Sequence, residues 1–208
     1  EIRFVFVTPT DRIADVRLGV PVKRNVENSV AAMALAWLSG VTSEELRTGL
    51  SSFSGIYRRF NIVYQSPEVV YIDDYAHHPS ELNAGISSIR MMYPDKKITG
   101  IFQPHLYSRT KDFADDFARV LSTLDELILL DIYPARELPI PGVDSAMILD
   151  KVTLANKVNC KKENLIELLK SKKDMEVLVT FGAGDIDTMV PQIKHLLKNK
   201  NEQININF

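Results

Sequence analysis

The feature that most constrains this chain is a set of short apolar runs that alternate with helical periods after residue 60. Leu127-Ile128-Leu129-Leu130 has no polar residue at alternate positions, and a strand reads that way when both of its faces are covered. Strands are expected at 61–65, 69–73, 97–102, 126–132 and 176–181, and helices at 79–92, 108–123, 145–151, 162–172 and 185–198. Strand–helix alternation of this kind predicts an α/β domain with a Rossmann-like, doubly wound, mostly parallel sheet.

The first 57 residues follow a different pattern. Two short strands flank Thr8-Pro9-Thr10-Asp11, a hairpin signal. A helix follows, with Asn25 as its expected N-cap and Val26, Val30, Met33, Ala34 and Trp37 at helical spacing before Gly40 ends it. Thr42 and Glu45 form a capping box for a second short helix reaching Leu50. The small residues of Ser51-Ser52-Phe53-Ser54-Gly55 mark a boundary. The expected organisation is therefore 1–57, a β-hairpin plus two helices; 58–200, the α/β domain; and 201–208, a polar tail that frays from Asn199. The chain opens in a strand pattern without an initiator methionine, and reads as an excised piece of a longer protein.

Composition mainly excludes. With 45% apolar and 25% charged residues, 208 residues suffice for a core, and disorder and coiled coil are ruled out. A net charge of -2 provides no field to attract nucleic acid or an acidic membrane. The single cysteine, Cys160, cannot form an internal disulfide and points to a reducing, cytoplasmic setting. No apolar run approaches the ~20 residues that span a bilayer.

In an open parallel sheet, ligands bind beyond the carboxyl ends of the strands. Four of the expected strands are followed there by chemistry: Asp74-Tyr75-Ala76-His77-His78-Pro79, Gln103-Pro104-His105-Leu106-Tyr107-Ser108-Arg109-Thr110, Tyr133-Pro134-Ala135-Arg136-Glu137 and Gly182-Ala183-Gly184-Asp185. Each piece also has a plain structural reading. Asp74 can cap a turn, and Pro79 can open a helix. Arg109 can pair with Asp112 or Asp116 along a helix surface. His77 and His78, adjacent on a loop, point apart and lack partners at metal-ligand spacing. Gly182-Ala183-Gly184 is half of a dinucleotide fingerprint, but it follows the last strand, where a dinucleotide-binding module needs it after the first. The lysines between Lys161 and Lys173 alternate with Glu163, Glu167 and leucines, as on a solvated helix face. None of the nine glycines is followed by lysine, so the chain holds no Gly-Lys-Ser/Thr phosphate loop.

Taken in order, Arg58-Arg59-Phe60, Asp73 to Glu81, Phe102 to Thr110, Asp131 to Glu137 and Gly182 to Asp185 resemble the Mur ligases. Arg24-Asn25-Val26-Glu27-Asn28-Ser29-Val30-Ala31-Ala32 resembles a helix start near the end of that family's central ATPase domain. The resemblance covers about residues 1–198. It implies that 1–57 is the end of the central domain and that the rest is the C-terminal domain that admits the amino acid. It further implies ATP with magnesium, UDP-N-acetylmuramate and L-alanine as substrates, an acyl-phosphate intermediate in peptidoglycan precursor synthesis, and the remainder of the same polypeptide as partner.

Carried over residue by residue, the resemblance implies adenine contact by Asn28, and nucleotide ribose and phosphate contacts by Arg59 and Asp74. It implies an alanine pocket from Tyr75, His77, His105 and Arg109, with Arg109 on the carboxylate and His77 orienting the amine or taking its proton. Leu106 stands where many members have arginine, and Arg136 where many have glycine. Without the phosphate loop, the chain by itself is expected to lack turnover. The alternatives are a family member that recycles a whole peptide onto the same sugar nucleotide, and a dinucleotide-binding Rossmann module.

Overall fold

The structure, a computed structural model, describes residues 1–206, without the side chains of Lys23 and 203–206. The chain divides into two compact units, Glu1–Ile56 and the residues from Tyr57 onward.

In the first unit, β1 (Arg3–Val7) and β2 (Arg12–Arg17) form an antiparallel hairpin. Helix α1 (Lys23–Leu38) is preceded by Val22, which provides no side-chain cap. The expected cap, Asn25, lies inside the first turn, where its amide donates back to the Val20 carbonyl at 3.2 Å. The helix ends as expected at Gly40, whose φ of +87° suits a residue without Cβ. Gly40 N donates to Trp37 O and Val41 N to Ala36 O, the crossed pair that satisfies the last carbonyls. The Thr42–Glu45 capping box forms and starts α2, which runs from Ser43 to Ser52, past the expected end. Phe6, Ile13, Val16, Met33 and Leu46 make this unit's small core.

The second unit is built on a six-stranded sheet: β3 (Asn61–Gln65), β4 (Val70–Asp74), β5 (Ile98–Phe102), β6 (Glu126–Leu130), β7 (Lys157–Cys160) and β8 (Val177–Phe181). Their spatial order is β3-β4-β8-β5-β6-β7. Only β3 runs antiparallel, against β4; every other pairing is parallel. This is the expected doubly wound α/β arrangement with one added edge. The strand missing from the sequence expectation is β7. It is an edge strand that reads Lys-Val-Asn-Cys with only Cys160 buried, so it lacks the apolar run that marks its neighbours.

One face of the sheet packs Tyr71, Ile101, Ile128 and Leu178 against Leu165 and Leu169 of α7 (Leu165–Ser171) and Val190, Ile193 and Leu197 of α8 (Val190–Ile206). The other carries α3 (Pro79–Met92) and α5 (Ala114–Leu121), with the Phe102 and Phe117 rings 5.2 Å apart. The single helix expected over 108–123 is two: α4 (Tyr107–Asp112) and α5 meet at Phe113, which leaves helical geometry while its ring sits edge-on to His78. The short α6 (Ala146–Leu149) precedes β7.

Two stretches are held by half-buried lysines. The tail expected to fray from Asn199 continues α8 to Ile206, and Lys200 Nζ donates to the carbonyls of Leu169 and Lys172, tying it to α7. Residues 207 and 208 lie outside the described residues. The lysine stretch is not wholly a solvated face. Lys162 pairs with Asp185 and Lys172 with Glu126, both lysines being largely covered.

Candidate active site

The carboxyl end of β4 carries two adjacent carboxylates with different fates. Asp73 is fully buried. Its Oδ1 accepts from Thr180 Oγ1 at 2.6 Å, and its Oδ2 lies 3.6 Å from Arg58 Nε. Burial raises the Asp73 carboxyl above its ordinary range, against the pull of the Thr180 hydrogen bond and the Arg58 charge. Asp74 follows, its Oδ1 accepting from Ala76 N at 3.1 Å, and burial pushes its carboxyl up to about 6. A carboxylate kept from water in this way gains from any donor a ligand brings.

Two neighbouring arginines divide the work at the start of this unit. Arg58 adopts a φ of +61° and turns its guanidinium inward. Nη2 donates to Gly182 O at 2.6 Å, Nη1 lies 3.2 Å from Asp187 Oδ2, and the guanidinium carbon sits 4.9 Å over the Tyr75 ring. Its own carbonyl accepts from Tyr75 N at 2.6 Å. Arg58 therefore fastens Tyr75 to the sheet. Arg59 is exposed, with its guanidinium 6.0 Å from the same ring. Sequence reading singled out Arg59; the internal role of Arg58 was not legible in two identical side chains.

From Tyr75 a row of rings crosses the edge of the sheet. Tyr75 and His77 are 5.3 Å apart, His77 and His105 6.0 Å, and His105 and Tyr133 5.7 Å. His77 Nδ1 is 2.9 Å from the Tyr75 carbonyl. A carbonyl only accepts, so Nδ1 carries a hydrogen and Nε2 is the nitrogen left to face a ligand. Glu81 Oε2 accepts from His77 N at 3.0 Å and steadies the loop. His78 takes no part in the row. It caps α3, its Nδ1 accepting from Ser80 N at 3.3 Å.

His105 and Arg109 come from the segment after β5. Burial, then the Arg109 charge, lowers the affinity of His105 for a proton below that of an ordinary histidine. His105 Nδ1 and Arg109 Nη1 are both buried without a hydrogen-bond partner. Among the described residues Arg109 forms no ion pair with Asp112 or Asp116; Asp116 pairs with Arg119 instead. An unpaired buried guanidinium nitrogen is costly in isolation, and marks a place prepared for an anion.

The turn after β8 braces this arrangement. Gln103 is buried, its Nε2 donating to Asp185 Oδ1 at 2.8 Å and its Oε1 accepting from Ile186 N at 2.9 Å. A Cβ on Gly184 would lie 2.5 Å from Gln103 Oε1 and 2.7 Å from Tyr133 Cβ, so the glycine is needed for close approach. Gln103 and Tyr133 stood in the loops that sequence reading marked, but no residue-type rule distinguished them there.

The structure thus brings Asp74, Tyr75, His77, His105 and Arg109 to one sheet edge, with Arg59 beside Tyr75. Asn28 belongs to the first unit, where it is exposed on α1 and its amide lies 3.5 Å from Asn25 Oδ1. Among the described residues no cluster of three or more His, Cys, Asp and Glu side chains is arranged to hold a metal ion.

An α/β domain that gathers an anion-seeking arginine, two imidazoles and a half-sequestered carboxylate at its carboxyl edge suits the handling of small charged substrates. Residues 58–184 match the model of the Mur ligase, glutamate ligase domain, and the chain belongs to the Mur ligase family. It is similar to UDP-N-acetylmuramate–L-alanine ligase of Parabacteroides distasonis, 58% identical over 94% of this chain and 42% of that protein. The corresponding ligase of Phocaeicola vulgatus is 56% identical over 96% of this chain and 44% of its own length. The chain spans less than half the length of the curated relatives it matches. Among solved structures, UDP-N-acetylmuramate–alanine ligase of Thermotoga maritima superposes with a TM-score of 0.75 at 26% identity, over 93% of this chain and 41% of that one. Among the described residues no helix is long and apolar enough to cross a membrane.

Proposed function

We propose that this chain is the C-terminal part of an ATP-dependent ligase that joins L-alanine to UDP-N-acetylmuramate through an acyl phosphate. The observation that carries the reading is the buried, partnerless Arg109 Nη1 beside the buried, partnerless His105 Nδ1. A small zwitterion fits such a pair, since its carboxylate meets the guanidinium and its amino group meets the row of rings. Residues 1–57 then belong to a central ATPase domain and the α/β unit admits the amino acid.

In the reaction, the alanine nitrogen attacks the acyl carbon of the muramoyl phosphate. Before attack the ammonium gives one proton to solvent and becomes the free amine; the C–N bond then forms, the C–O bond to phosphate breaks, phosphate leaves with the electron pair, and the nitrogen loses its second proton. Arg109 holds the alanine carboxylate. Tyr75 and His105 wall the pocket, and His77 presents Nε2 to the incoming amine, orienting it and accepting its proton. Bringing the amine and the acyl phosphate together in a shielded site supplies the rate.

Asp74 and Arg59 meet the ribose hydroxyls and nearby phosphate, and Asn28 the adenine edge. The chain's residues fit only this peripheral share of ATP, because no Gly-Lys-Ser/Thr loop is present. Among the described residues none is arranged as a magnesium centre, so the ion's ligands are assigned mostly to the rest of the polypeptide. A cytoplasmic setting accords with the single buried thiol of Cys160. The peptide-recycling alternative is less favoured. One solved structure of that kind, murein peptide ligase of Psychrobacter arcticus, is 19% identical at a TM-score of 0.63, a likeness of fold.

The test is Arg109→Ala in the full-length ligase. KM for L-alanine should rise about 100-fold, the scale of a lost charge-assisted contact, while KM for ATP stays within about twofold. Equal rises in both constants would remove Arg109 from the amino-acid site.

A further inference from the structure

Helix α4 begins without a cap of its own. The residue before it, Leu106, has a φ of +73°, a left-handed conformation that a bulky side chain rarely adopts. Its side chain has no oxygen to accept the first helical N–H groups. In α2 and α3 that task falls to the adjacent Thr42 and His78.

In α4 the acceptor comes from another strand's loop. Glu137 Oε2 accepts from Ser108 N at 3.0 Å, and Oε1 from Ser108 Oγ at 2.5 Å. The two loops are stitched together further back. Tyr133 N donates to Pro104 O at 2.8 Å and Leu106 N to Tyr133 O at 3.0 Å, so that His105 and Tyr133 pair as a parallel bridge. Glu137 is set in turn by its own N–H, which donates to Pro134 O at 2.9 Å across a turn where Ala135 has a φ of +51°.

One carboxylate thus fixes the backbone immediately before Arg109, while the same loop supports the His105 ring. We propose that Glu137 is the positioning residue of the amino-acid pocket, which aims Arg109 through Ser108. The inference rests on the alanine-binding reading above. The hydrogen bonds from Ser108 hold the Glu137 carboxyl below its ordinary range, so the clamp is anionic at neutral pH. It adds a long-range hold to a strained turn whose Leu106 carbonyl accepts locally from Thr110 N and Oγ1. It also gives the pocket a specificity element that touches no substrate.

The experiment is a kinetic cycle in the full-length ligase. Glu137→Ala should raise KM for L-alanine about tenfold, with KM for ATP and for UDP-N-acetylmuramate unchanged and kcat within about threefold. Glu137→Gln, which retains an acceptor, should recover most of the loss, and Ser108→Ala should fall between. The double variant with Arg109→Ala should be no worse than Arg109→Ala alone, since Glu137 acts through that residue. Full additivity, or a parallel rise in all three KM values, overturns the proposal. If Glu137→Ala does not fold, Glu137→Gln and Ser108→Ala decide it by the same split. Should Arg109→Ala itself leave the alanine KM unchanged, the amino-acid reading fails and this inference with it. A large Arg109 effect with a silent Glu137 removes the clamp alone.

Discussion

The two ends of the α/β sheet are built from the same residue types and treat them in opposite ways. At the amino ends of the strands, every carboxylate that matters is occupied. Glu126 accepts from Thr99 Oγ1 and Lys97 Nζ, each at 3.1 Å, and also binds Lys172. Asp125 Oδ2 accepts from Ile98 N and Arg90 Nη2, each at 2.8 Å, and Glu176 accepts from Lys97 N at 2.9 Å. At the carboxyl ends, Arg58 Nε, Asp73 Oδ2, His105 Nδ1 and Arg109 Nη1 are buried without hydrogen-bond partners. A buried polar atom left unmatched costs stability. A folding end, where charges close on each other, thus differs from a working end, where Arg58 and Asp73 still face each other at 3.6 Å but His105 and Arg109 are left open.

The contrast can be broken most severely at the working end with Gly184→Ala. The new Cβ would run into Gln103 and Tyr133. The expected loss is about 3 kcal/mol of stability, together with a raised KM for L-alanine, because Tyr133 underlies His105. Denaturant unfolding and steady-state kinetics read the two effects. A fully stable variant with normal kinetics would show that the turn gives way without cost.

Glu126→Ala probes the other end. Removing the shared acceptor leaves two lysines and a threonine hydroxyl unmatched, and should cost about 2 kcal/mol in chemical denaturation without changing any KM. A selective change in the alanine constant would erase the division between the two ends.

The smallest effect is a pH dependence. An acid whose pKa is raised in the folded state favours folding below its unfolded pKa, and that contribution is lost as pH rises through the folded value. For Asp74, raised from 3.8 to about 6, stability should therefore decline between those values as pH increases. About 1 kcal/mol is expected, less than the full shift because the carboxylate relaxes toward water as it ionises. Asp74→Asn should flatten that part of the profile in urea titrations from pH 3.5 to 7. An unaltered profile would assign the dependence to another group.

The legible part of this molecule was what periodicity carries. The strand at Asn61–Gln65 and the helix at Pro79–Met92 are marked to the residue, and the loops after the strands point to the edge where the candidate residues gather. Edge strand β7 was missed because its side chains are largely exposed and polar. The break at Phe113 depends on where His78 places its ring, a long-range contact with no local mark. Charge and motif pick out residues such as His105 and Arg109, which the fold brings to one sheet edge. Gln103, Arg58 and Glu137 were not singled out as site residues, because each acts by holding something else. Such roles depend on distances between loops far apart in the chain.

One topological detail bears on how the molecule comes into being. Strand β8, the last strand of the sheet in sequence, is inserted between β4 and β5. Until Phe181 has left the ribosome, β4 and β5 have no common neighbour, and the edge carrying the histidines and Arg109 cannot form. The nascent α/β unit must therefore hold its apolar strands in waiting through most of its own synthesis, exposed to chaperones, before a late insertion closes the sheet.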